Sequence, residues 1–212
     1  MRLTGSATEL TTAATDVVLS LAAAGGIVLL QSLETAASWK IHLWSWTFAL
    51  IALAAALGAV YHGLVLAGSP RAFLWRILTV CLSMAISLFV VSVFHDAYGV
   101  EAAGRILPIL LAAGALIYTV SRVFPDLFIV FIVYQVLALA LALCAYAWMA
   151  AWGTLDGAGW MAAGVAVSIL AAGIQAAGNV HVTFVWEFDH NGIFHLVQAL
   201  GVILFCVGLS RG

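Results

Sequence analysis

The sequence predicts an all-α integral membrane protein, a seven-transmembrane-helix bundle. Three observations carry that expectation. Of the 212 residues, 66% are hydrophobic and only 8% are charged, with a mean hydropathy of +1.19, a balance no soluble domain of this length holds. Seven apolar stretches of about 18–25 residues, the length a bilayer requires, follow one another along the chain. The breaks between them are short, which forces neighbouring spans to run antiparallel in one bundle, so residues 1–212 form a single domain.

The N-terminal segment up to Asp16 is polar and small, without the basic-then-apolar pattern of a cleaved signal. The first span, near 16–34, is therefore expected to act as the targeting signal. The break from Glu34 to Lys40 leads into span two, near 41–63, and Gly68-Ser69-Pro70-Arg71 separates it from span three, near 72–95. His95 to Arg105 precedes span four, near 104–121, and Arg122 to Asp126, with Pro125, precedes span five, near 126–150. Gly153 to Gly159 leads to span six, near 158–179, and the polar segment from Asn179 to Asn191 opens span seven, near 192–210. Gly164, Ser168, Ala172 and Ala176 form a small-residue row on span six, and Ala54, Gly58 and His62 form another on span two. Such rows let helices approach closely in lipid. Trp39, Trp44, Trp75, Trp148, Trp152, Trp160 and Trp186 lie near span ends, as interfacial belts require. Cys81, Cys144 and Cys206 are scattered through apolar runs without zinc spacing and read as buried small hydrophobes. A net charge of −2 with no basic block excludes nucleic acid as an expected partner.

Seven spans assign a side to every loop. The N-terminal side collects His62, Tyr118, Asp126, Gln175, Asn179, His181, Glu187, Asp189, His190 and His195, whereas His42 and His95 fall on the other. Arg2, Arg71, Arg76 and Arg122 against Lys40, Arg105 and Arg211 favour a cytoplasmic N-terminus by one positive charge.

Within this polar side, three imidazoles around an open fourth position would make a catalytic zinc site. His62 and His195 are the first two expected donors. Residues four apart on a helix share a face and residues five apart do not, so Asn191 shares the face of His195, while His190 reaches inward only from the helix entry. His190 is the expected third donor, with His181 or Asn191 as the alternatives. Asp189 or Asn191 is a plausible N-cap, and Gly192 would loosen that turn. Asp189, Glu187 and Asp126 are candidates for a general base or for a carboxylate orienting a ligand imidazole. Gln198, Asn179, Gln175 and Tyr118 could hold a substrate carbonyl or amide, although for Gln198 an interhelical hydrogen bond is the simpler reading.

With His62 late in span two and Asn191-Gly192-Ile193-Phe194-His195 opening span seven, the chain resembles the seven-span metal hydrolase (CREST) superfamily. That superfamily includes alkaline ceramidases, the progestin and adipoQ receptors and GPI-remodelling membrane hydrolases. The span-seven motif there reads His-x-x-x-His; here Asn191 takes the first place and His190 stands one residue earlier. Two departures accompany the resemblance. Gly58 stands where the family carries Ser, four residues before the span-two His, and Phe73-Leu74-Trp75-Arg76-Ile77 offers no acid where the family carries Asp. If the family's chemistry operates, Asp126, Glu187 or Asp189 replaces the missing groups. The resemblance implies a zinc-dependent intramembrane hydrolase of a lipid amide or ester, in which zinc-activated water attacks a carbonyl. The expected partners are a membrane lipid substrate and, in a homo-oligomer, further copies of the chain.

The alternative is a non-catalytic receptor or sensor that keeps the fold, which the missing Ser and Asp favour. A retinal Schiff base needs a lysine inside the bundle, and Lys40, the only lysine, falls in the first loop. His62 and His195 lack the matched helix pairs expected of a transmembrane haem, and no internal repeat suggests a transporter.

Overall fold

A computed structural model describes residues 2–33, 38–124 and 129–212 of the chain. The first helix, α1 (Ala7–Gln31), starts nine residues earlier than expected. Ser6 accepts the Glu9 N–H at 3.3 Å, and Ser6-Ala7-Thr8-Glu9 has the spacing of a capping box. The threonines then follow as one helical face, with Thr12, Thr15, Asp16, Leu19 and Ala23 all buried. Asp16 thus lies well inside a membrane-length helix instead of at its entrance.

After α2 (Trp39–Gly63), capped by Ser38, α3 (Gly68–Val123) runs for 56 residues with Pro108 inside it. Gly99 breaks it: its φ of 84° and ψ of 177° are not helical, and φ > 0 is a conformation only glycine adopts cheaply. The chain reverses there. Gly114, after the break, lies against Ser83 and Ser87 before it, so close that a Cβ would not fit. The remaining helices are α4 (Ile129–Trp152), α5 (Ala158–Ala177) and α6 (His190–Leu209). In place of an irregular loop before α6 there is a small antiparallel hairpin of β1 (Val182–Thr183) and β2 (Glu187–Phe188).

Among the described residues six helices are long and apolar enough to cross a membrane, which makes the chain an all-α, multi-pass integral membrane protein. Each helix packs on the next, and α6 closes back on α1. The core centres on Trp44, which is fully buried with ring centroids 5.6 Å from Phe48, 5.7 Å from Phe89 and 5.4 Å from Phe205. Trp44 is therefore a packing residue and not part of an interfacial belt. The first half of the span-six row packs as expected: Gly164 admits the Phe205 ring, and Ser168 accepts a hydrogen bond from Gln198 Nε2 at 3.1 Å, whereas Ala176 is exposed. Cys81 and Cys206 are buried, but Cys144 faces outward.

The end holding the start of α1, the end of α2 and the start of α6 is tied together by backbone. Thr4 N–H donates to Gly63 O at 3.0 Å and Val65 N–H to Arg2 O at 2.9 Å. At the opposite end Asp96 pairs with Lys40 at 3.2 Å, accepts from Tyr146 Oη at 3.0 Å and stands 3.5 Å from His95 Nδ1. His95 is thereby occupied structurally, while His42 is exposed.

Candidate functional site

The site grows from α6. Asp189 caps it, accepting the Gly192 N–H at 2.9 Å and the Thr12 hydroxyl at 2.9 Å on the same oxygen. Burial alone would raise the Asp189 pKa, but the Gly192 and Thr12 hydrogen bonds and the nearby His190 charge outweigh it, and the net shift is downward. Asp189 is an ionised cap that fastens α6 to α1. The Thr11 hydroxyl donates to Glu187 O, extending the same seam into the hairpin.

One and a half turns along α6, His195 is buried. Its Nε2 lies 3.2 Å from Asp16 Oδ1 and its Nδ1 lies 3.3 Å from Thr15 Oγ1. The hydroxyl proton of Thr15 is already donated to Thr12 O at 2.9 Å, and a hydroxyl has only one proton to give. Nδ1 must therefore donate to Thr15, which leaves Nε2 and Asp16 Oδ1 to share the proton between them. Asp16 is 3% exposed, and its second oxygen, Oδ2, has no hydrogen-bond partner. A buried carboxylate oxygen without a donor is costly and needs an explanation.

Gly58 makes room for this carboxylate. An ideal Cβ at Gly58 would lie 2.7 Å from Oδ2 and 2.8 Å from Oδ1 of Asp16. A side chain here would collide with Asp16, so the glycine on α2 and the acid on α1 belong together. One turn further along α2, His62 Nδ1 stands 2.7 Å from Glu9 Oε2. A carboxylate only accepts, so Nδ1 donates the proton of this contact. His62 also lies within electrostatic range of His195.

The other expected residues divide clearly. His190 is the first residue of α6, and its Nδ1 is buried without a partner. Asn191 is helical and partly buried. His181, Glu187, Asn179 and Gln175 are exposed, and none of their side chains is drawn to Asp16 or His195. Gln198 bonds Ser168, the interhelical role that sequence favoured. Tyr118 is partly buried in the second half of α3. Asp126 lies outside the described residues. Among the described residues no three His, Cys, Asp or Glu side chains stand close enough to enclose one ion. The close donor pair is Asp16 with His195, and His62 is the near neighbour. An apolar groove of about 570 Å³, lined by residues including Trp39, His42, Leu43 and Met84, opens at the start of α2, the opposite end from His62, and holds none of these groups.

Glu9 and Asp16 are the residues sequence reasoning missed. The capping-box spacing places Glu9 in a first helical turn, and Thr12, Thr15, Asp16 and Leu19 have the i, i+3, i+4, i+7 spacing of a buried face. Either signal would have moved the start of the first helix and drawn Asp16 inside it.

A family model described as a family of unknown function, DUF6962, matches residues 11–212. No curated protein and no solved structure matches the chain.

Proposed function

The chain belongs to the DUF6962 family, and we propose that it is a zinc-dependent intramembrane hydrolase of a lipid amide or ester, with His62 and His195 as metal donors. The observation that carries the reading is the shared state of two imidazoles from different helices. Glu9 holds Nδ1 of His62 at 2.7 Å and Thr15 holds Nδ1 of His195 at 3.3 Å, so in each ring Nε2 is the nitrogen turned away from that anchor, and in His195 it meets Asp16. Fixing one ring nitrogen by an outer oxygen is how ligand histidines are oriented. Ionisable groups at membrane depth are retained for function more often than for stability.

Zinc held by such donors would supply a Lewis acid and a water that ionises near neutral pH, the nucleophile for a carbonyl. The chain supplies the orientation of the donors and the exclusion of bulk water around the buried His195. Asp189 is committed to its cap, so Glu187, Asp126 and the unpaired His190 are the groups left for moving protons. The lipid substrate would reach the site from the bilayer, and further copies of the chain are compatible partners.

In this reading α3 crosses the bilayer twice, with the break at Gly99 as its turn, which gives seven passes. At 1.5 Å per residue each half exceeds the roughly 30 Å apolar thickness of a bilayer. The N-terminus is placed in the cytoplasm on the positive-inside balance.

A second reading, a non-catalytic sensor, is favoured by one observation: Asp16 already satisfies His195 without an ion, at 3.2 Å. The test is turnover of lipid amide and ester panels by purified protein before chelation, after it, and after zinc is restored. Turnover lost on chelation and recovered with zinc supports the hydrolase. Zinc retained with no turnover across the panels supports the sensor.

A further inference from the structure

We infer that Asp16 is itself a metal ligand, so that the donor set is Asp16, His62 and His195 instead of three histidines. This rests on the metal-binding reading above and replaces His190 as the third donor. Four observations point the same way.

The first is separation. Two donors each about 2.0–2.1 Å from one tetrahedral zinc stand roughly 3.3 Å apart, and Asp16 Oδ1 and His195 Nε2 are 3.2 Å apart. The second is protonation. The hydrogen-bond chain through Thr15 and Thr12 leaves a single proton between those two atoms, and a cation replacing it would meet one anionic oxygen and one imidazole lone pair. The third is the unsatisfied Oδ2 of Asp16: its lone pairs have no donor and are free to meet a cation. The fourth is the cradle. Gly58 is the residue on α2 that faces the carboxylate, and any side chain there would push it off His195.

His190 offers less. Its Nδ1 is buried and unpaired, but it begins α6, five residues before His195, and positions five apart do not share a helical face. His62 is the donor that must close the set, because the three groups do not already surround one point.

The experiment uses the full chain in detergent with Co²⁺ and Zn²⁺ as probes, for native protein, Asp16→Asn, Asp16→Cys and, as control, Glu101→Gln at the exposed Glu101 of α3. Each is checked for fold by far-ultraviolet circular dichroism and gel filtration. Asp16→Asn should bind Zn²⁺ at least about 100-fold more weakly, since an anionic ligand is lost. Asp16→Cys with Co²⁺ should gain the near-ultraviolet sulfur-to-cobalt charge-transfer band that only direct thiolate ligation produces, and Glu101→Gln should bind as the native chain does. Asp16→His, which keeps a donor, takes the place of the cysteine variant if that one does not fold, and should retain Zn²⁺. If native protein binds metal but Asp16→Asn binds equally and Asp16→Cys shows no band, Asp16 is not a ligand and the reading of His62 and His195 survives. If the native protein binds neither ion, that reading fails first.

Discussion

Replacing Gly58 with alanine tests the geometry of the buried carboxylate with one methyl group. The new Cβ would lie 2.7 Å from Asp16 Oδ2, where ordinary contact begins at 3.4 Å, a shortfall of 0.7 Å. The obstacle is a short side chain locked to His195, not the free end of a long one, so the carboxylate must leave its partner. Overpacking of this kind costs about 1–3 kcal/mol, and losing a hydrogen bond to a charged group costs about 1.5–3 kcal/mol. Against this, glycine to alanine inside a helix gains only about 0.5–1 kcal/mol. Gly58→Ala should therefore destabilise the protein by about 2 kcal/mol or more. Gly25, with nothing within 4 Å of its would-be Cβ, is the control, and Gly25→Ala should be neutral or stabilising by up to about 1 kcal/mol. The decisive comparison is made in an Asp16→Ala background. There the obstruction is gone, and Gly58→Ala should turn from destabilising to neutral or stabilising, a coupling of about 2–3 kcal/mol between the two positions. Reversible unfolding in mixed dodecyl maltoside and dodecyl sulfate micelles, followed by circular dichroism, measures the native chain and all four variants. Equal effects of Gly58→Ala and Gly25→Ala, or additivity with Asp16→Ala, would refute the placement of Asp16 against α2.

Asp189→Asn should weaken the α6 cap by about 1 kcal/mol. Because the folded-state pKa of Asp189 is depressed, its contribution is full above the unfolded value of about 3.9 and is lost as pH falls through the folded value. The stability gap between native and variant should hold from pH 7 down to about pH 4 and narrow below it, as read by unfolding at each pH. Gln198→Leu removes the bond to Ser168 and should cost only about 0.6 kcal/mol, the usual worth of such contacts between membrane helices; a loss several times larger would give Gln198 another role. Trp44→Ala empties the centre of the aromatic cluster and should cost about 3–5 kcal/mol by the same unfolding measurement, whereas an interfacial tryptophan would cost little.

The sequence made the membrane class legible because hydropathy and length need no tertiary information. Most helix ends followed from the same pattern and from Gly and Pro. What misled was polarity at the N-terminus. Thr12, Thr15 and Asp16 look like a solvated leader, yet their hydroxyls and carboxylate turn inward and bond Asp189, His195 and one another. Polar side chains that satisfy each other between helices do not lower hydropathy any less than exposed ones, so a hydropathy reading cannot distinguish them. His62 and His195 were legible as a pair because both sit late or early in a span on one side. Asp16 was not, since its partner is 179 positions away and only the packing of α1 on α6 joins them. Gly58 was legible as a small residue in the span-two row, and the Asp16 carboxylate against it is why nothing larger fits.

The central claim is that this end of the bundle holds a metal ion. Elemental mass spectrometry of the purified chain, beside His62→Ala and His195→Ala, addresses it most directly. The account predicts about one zinc per native chain, lost in both folded variants. No zinc in native protein purified without chelators and offered the ion, with both variants folding normally, would contradict it and leave Asp16 and His195 as a metal-free pair within the membrane.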